Sequence, residues 1–164
     1  MAGNTYYPYT RSSFIPPTDK DASSVRKKIH VAKKEMEAAA ADEERNRKRQ
    51  QFGDRYIECE RLYRIILESY CNINGKKLNI DKANVYLKDV KNTIKAFGIS
   101  IDEETIDKIF ASYDKYVKRG TKSAKQLRNT QFHQLSETDI QESIDRFDEL
   151  MTAMQKFIDA VMSI

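Results

Sequence analysis

Tyr56-Ile57-Glu58-Cys59-Glu60-Arg61-Leu62-Tyr63-Arg64-Ile65-Ile66-Leu67-Glu68-Ser69-Tyr70 decides how the rest of the chain is read. Tyr56, Cys59, Leu62, Tyr63, Ile66, Leu67 and Tyr70 recur at steps of three and four, which lines them along one face of an α-helix wide enough to enter a core. Toward the C-terminus this helix meets Asn74-Gly75, a pair suited to the left-handed backbone of a helix end. A second run, Ile80, Val85, Leu87, Val90, Ile94 and Phe97, is stopped by Gly98. A third begins after Ser100 or Asp102, with Glu103 and Glu104 set against first-turn amides, and continues through Ile106, Ile109, Phe110, Tyr113 and Val117 to Lys118-Arg119-Gly120. Residues 121–134 form a shorter helical segment anchored by Ala124, Leu127 and Phe132. Ser136-Glu137-Thr138-Asp139 then reads as a capping box heading a long stripe of Ile140, Ile144, Phe147, Leu150, Met151, Met154, Phe157, Ile158 and Val161. No segment alternates as a strand does. The expected fold is all-α, an up-and-down bundle of about four core helices with a long basic N-terminal helix in front.

Toward the N-terminus the stripe thins beyond Gly53. Residues 21–51 are charged and alanine-rich, and their only large apolar residues are Val25, Ile29, Val31 and Met36, so this helical extension projects from the core or packs over part of its length. Residues 1–20 hold all three prolines, Pro8, Pro16 and Pro17, beside Tyr6, Tyr7, Tyr9, Phe14 and Ile15, and read as an irregular arm. Residues 52–164 make the bundle. With 164 residues, 40% apolar and 33% charged, the chain suits one sizeable core rather than two. Cys59 and Cys71 lie twelve apart without CxxC or repeated Cys/His spacing, so neither a disulfide nor a zinc site is expected. No apolar run is long enough for a membrane span, and the first residues lack the basic start and apolar core of a signal peptide. The expectation is a cytoplasmic protein off the membrane. The net charge of +4 is uneven, about +4 over residues 1–50, about +2 over 51–120 and about −2 over 121–164, which permits a polyanionic partner.

Arg128-Asn129-Thr130-Gln131-Phe132-His133 stands just before the last long stripe. Histidine can move a proton near neutral pH, taking it from a ribose 2′-hydroxyl or giving it to a departing 5′-oxygen. Arginine offers a planar donor fork for a phosphate and for the charge that gathers on it. Asn129 can orient the phosphate or hold the local backbone. An internal nucleophile needs no metal, and no cofactor is implied. On a regular helix five residues turn through about 500°, so Arg128 and His133 point about 140° apart. Either the helix bends near Ser136, or a site forms where two copies meet across a two-fold axis.

This hexapeptide, followed by a long helix, resembles the signature of the HEPN superfamily: an arginine, four to six residues, then a histidine, with a polar residue commonly following the arginine. The resemblance covers roughly residues 52–164. It implies a helical bundle that homodimerises through the motif-bearing face and acts as a metal-independent endoribonuclease of toxin or antiviral-defence type, with RNA as substrate and an antitoxin or other protein as partner. Arg128, Asn129 and His133 take the family's functional positions. Gln134 and Leu135 stand where many relatives carry a small residue after the histidine, a departure also compatible with a catalytically inactive module that binds nucleic acid or a partner protein. A structural helical scaffold is the third reading.

The remaining candidates are weaker in pattern. His30 has no carboxylate pair at metal-ligand spacing and reads as a solvated residue. Glu58 either reaches inward to brace Arg128 or, with Glu60, balances Arg55, Arg61 and Arg64 on the outer face. Arg45, Arg47, Lys48 and Arg49 could lay a basic track along nucleic acid or an acidic partner, although Glu35, Glu37 and Asp42 to Glu44 interrupt it. The chain has no GxxxxGK, GxGxxG or HExxH sequence, which disfavours the nucleotide and metalloprotease chemistry of those motifs.

Overall fold

The computed structural model describes residues 15–79, 84–112, 121–130 and 136–164. Among these the chain is all-helical and without strands. Its elements are α1 (Asp19–Ile73), α2 (Leu87–Ala96), α3 (Glu103–Phe110), α4 (Ala124–Asn129), α5 (Glu137–Asp145) and α6 (Phe147–Met162). No helix among the described residues is long and apolar enough to cross a membrane. The chain divides into two compact units, Met1–Glu43 and Glu44–Ile164.

In the first unit, α1 begins with a reciprocal cap. The Thr18 amide and hydroxyl both donate to the Asp21 carboxylate, at 2.8 and 2.6 Å, and the Asp21 amide returns a bond to the Thr18 hydroxyl at 3.2 Å. Two helix-start donors are thereby satisfied. Beyond the cap, Val25, Ile29, Val31 and Met36 are all exposed, as the thin apolar stripe predicts. The arm assigned to residues 1–20 lies outside the described residues up to position 14.

The second unit holds the core. Phe52, Tyr56, Cys59, Tyr63 and Ile66 of α1 are buried with Val90 and Ile94 of α2, Ile106, Ile109 and Phe110 of α3, Ala124 and Leu127 of α4, and a run from Leu150 to Val161 of α6. α3 is the central element, packed against α2, α4 and α6, while α5 bridges α4 and α6. The Phe110 ring sits among Tyr56, Tyr63 and Phe157 at centroid distances of 6.2, 5.9 and 5.1 Å. Two of the expected stops hold their helix ends. Gly75 (φ 68°) and Gly98 (φ 64°) take the left-handed conformation, with Lys76 donating to the Cys71 carbonyl at 2.9 Å and Ile99 to that of Ile94 at 3.1 Å. The third stop, Gly120, lies outside the described residues, as do Ile80, Tyr113 and Val117.

Three boundaries differ from the sequence reading. No break separates the charged extension from the first core helix, because α1 runs straight through Gly53. Glycine in a helix interior costs only about 1 kcal/mol against alanine, and Phe52 and Tyr56, both buried, flank it. α3 stops at Phe110 rather than continuing through Val117. Ala111 is extended (φ −60°, ψ 142°), and its carbonyl accepts from the Ser123 hydroxyl at 2.7 Å, so a tertiary bond replaces the next helical one. The last stripe is two helices. They part at Arg146, whose guanidinium donates to the Lys122 carbonyl at 2.7 Å, to Glu142 at 2.7 Å and to Glu149 at 3.0 Å. Neither glycine nor proline marks that junction, and of these contacts only the one to Lys122 comes from outside the two helices.

The Ser136 cap forms, its hydroxyl accepting from the Asp139 amide at 3.3 Å. Only the Ser136 half of the expected capping box forms: the Asp139 carboxylate, in a residue only 2% exposed, instead receives the Lys122 ammonium at 2.6 and 2.8 Å, and the Ser136 amide donates to the Thr130 carbonyl at 3.5 Å. Asp139→Ala is expected to destabilise the fold by about 1–3 kcal/mol, the cost of removing a buried charged hydrogen-bond partner. Lys122 is one-third exposed and can turn to water, which keeps the loss below that of a fully enclosed pair. Urea unfolding of the two proteins at pH 7 measures it.

Acid should also loosen the α5–α6 junction. The bonds from Arg146 hold the Glu149 carboxyl below its ordinary value of 4.5. A depressed folded-state value stabilises the fold above the unfolded one, and that stabilisation is lost as pH falls through the lower value. The urea midpoint is therefore expected to fall more steeply below pH 4.5 in wild type than in Glu149→Gln.

Candidate functional site

α4 is short, and its start is fixed from both sides. Ser123-Ala124-Lys125-Gln126 forms a full capping box, with the Gln126 amide donating to the Ser123 hydroxyl at 3.3 Å and the Ser123 amide to the Gln126 side chain at 2.9 Å. The Ser123 bond to Ala111 ties this cap to the end of α3. Buried Ala124 and Leu127 face the core, so Lys125, Arg128 and Asn129 turn toward a cleft of about 370 Å³. Tyr56, Glu60 and Arg64 of α1 line its second wall, and Asn84, Val85 and Tyr86, just ahead of α2, line its third.

The lining holds three cations, Arg64, Lys125 and Arg128, against one carboxylate, Glu60. Glu60 pairs with Arg64 at 2.7 Å across one helical turn. Lys125 donates to the Val85 carbonyl, joining α4 to the segment before α2. Burial pulls the Lys125 ammonium below its ordinary value, partly opposed by Glu60. Burial, helped by Glu60 and opposed by Arg128, pushes the Tyr56 phenol far upward. Tyr56 therefore enters any chemistry here as a neutral hydroxyl. The result is a partly enclosed recess with a net positive lining and polar walls, dimensions and chemistry that suit a phosphate group.

Two of the three motif residues, Arg128 and Asn129, thus line one recess. The third, His133, lies outside the described residues, together with Gln131, Phe132, Gln134 and Leu135. Glu58 does not brace Arg128. It is exposed and pairs with Arg55 at 3.1 Å, since on a helix whose buried face carries Tyr56, Cys59 and Tyr63 position 58 points away from the core. Glu60 lies in the cleft instead. Lys125, Arg64, Asn84 and Tyr86 were missed in the sequence. Lys125 was the most readable, since it precedes Arg128 by three residues and shares its helix face; the others join through tertiary packing.

The basic run at 45–49 is drawn into contacts within the second unit. Arg45 pairs with Glu137 at 2.6 Å, Arg47 with Glu44 at 2.6 Å, and the Lys48 ammonium lies 5.5 Å from the centre of the Phe147 ring. Arg49 is half-buried and also engaged. These contacts reduce the charge this run presents to a polyanion. His30 is exposed on the first unit. Among the described residues, no three His, Cys, Asp or Glu side chains are grouped to hold a metal ion. Comparison of the chain with protein-family models, with curated proteins and with solved structures finds no match in any of the three.

Proposed function

We propose that this chain is an endoribonuclease of the HEPN type that cleaves RNA through its own 2′-hydroxyl. The observation that carries the reading is the recess containing Arg128 and Asn129 with Lys125 and Arg64. Arg128 and Lys125 hold the scissile phosphate and stabilise the charge that builds on its non-bridging oxygens. His133 takes the 2′-hydroxyl proton as the oxygen bonds to phosphorus. The bond from phosphorus to the 5′-oxygen breaks, and that oxygen leaves with a proton from an acid or water. The products are a 2′,3′-cyclic phosphate and a free 5′-hydroxyl. Since the nucleophile and electrophile belong to one nucleotide, a metal is not required for attack.

The same reading includes a homodimer in which two motif segments meet, a cytoplasmic setting, and a role in growth restriction or antiviral defence with an antitoxin as partner. Incubating the purified protein with single-stranded RNA in EDTA tests the chemistry. The expected result is cutting with cyclic phosphate at the new 3′ ends; 3′-hydroxyl ends would overturn the mechanism. The exposed Val25, Ile29, Val31 and Met36 favour a second reading, a catalytically inactive module that docks a partner protein along the first unit.

A further inference from the structure

We propose that Tyr86 is a base-stacking platform, so that the recess takes one nucleotide of a single strand, phosphate against Arg128 and Lys125 and base against the Tyr86 ring. This inference rests on the RNA-cleaving reading in taking RNA as the polyanion. Tyr86 is 58% exposed and lines the polar recess with Arg128 and Lys125. Its hydroxyl accepts from the Asn84 side-chain amide at 3.1 Å, which ties the ring to the segment just ahead of α2. Val85, immediately before it, is buried, and its carbonyl is held by Lys125. One backbone segment therefore fixes the cation that meets the phosphate and the ring that meets the base.

An exposed ring beside a cationic recess is the pairing by which proteins hold unstacked nucleotides: every base has a π-face, and the cations follow the backbone. A duplex cannot use it without unstacking a base. With stacking, the recess selects loops and single strands over helices.

The test is fluorescence anisotropy with a labelled single-stranded 2′-O-methyl RNA, which cannot be cut by 2′-attack, beside a duplex of the same sequence. Tyr86→Ala and Tyr86→Leu are each expected to weaken single-strand binding by about tenfold. Tyr86→Phe should keep it, and duplex binding, weaker at the outset, should change little in any variant. Tyr86→Leu retains apolar bulk, so the comparison with Tyr86→Phe stands even if the alanine variant folds poorly. Unchanged affinity in Tyr86→Leu, where Arg128→Ala binds more weakly, would overturn the stacking role while leaving the nuclease reading intact. Absence of single-strand binding by wild type, or preference for poly-glutamate over RNA, would overturn it too; cutting of unmodified RNA in EDTA then decides the nuclease reading separately.

Discussion

Phe110→Ala should lower the unfolding free energy by about 3–5 kcal/mol, as expected for deleting a fully buried ring that its neighbours cannot collapse onto. Phe110 has no solvent exposure and contacts rings from α1 and α6. Those helices are far apart in sequence, so the space left behind would be bounded by Tyr56, Tyr63 and Phe157 on separate supports. A domain of this size is stable by only about 5–15 kcal/mol, which makes this loss a large fraction of the whole. Urea unfolding followed by circular dichroism measures it. A loss under 1 kcal/mol would show that α3 is not the element on which the other helices converge.

The second large effect is on catalysis. His133→Ala should reduce RNA cutting by about 10²- to 10⁴-fold, the range for losing a positioned proton-transfer group. Arg128→Ala should cost on the order of 10²- to 10³-fold through lost stabilisation of the charged phosphorane-like state. Arg128→Lys restores the charge but not the planar fork, so partial recovery is expected. Asn129→Ala should be milder. If histidine and arginine serve one step, as proposed, the double variant should be little worse than the poorer single one. Additive losses, measured as initial cutting rates on one labelled RNA, would mean the two residues act on different steps.

The fold was legible where burial and local chemistry agree. Tyr56, Cys59, Tyr63 and Ile66 announce their buried face by spacing alone, and Gly75 and Gly98 mark their turns because both need a left-handed backbone. It was illegible where a distant group decides the boundary. The Ser123 hydroxyl on Ala111 ends α3, and the Lys122 carbonyl under Arg146 sits at the break between α5 and α6. Neither contact leaves a periodic trace. Gly53, where the apolar stripe thins, does not interrupt α1, and the buried Phe52 and Tyr56 lie beside it. Of the three motif residues singled out in the sequence, Arg128 and Asn129 line one recess. Arg64 and Tyr86 come from segments 64 and 42 positions before Arg128 and carry no motif of their own.

The measurement that bears most directly on the central claim is RNA cutting in EDTA by wild type and by His133→Ala, side by side, each shown by circular dichroism to be folded. Wild type should convert a single-stranded RNA to fragments ending in 2′,3′-cyclic phosphate, with His133→Ala slower by at least about a hundredfold. Equal cutting by the two folded proteins would contradict the account.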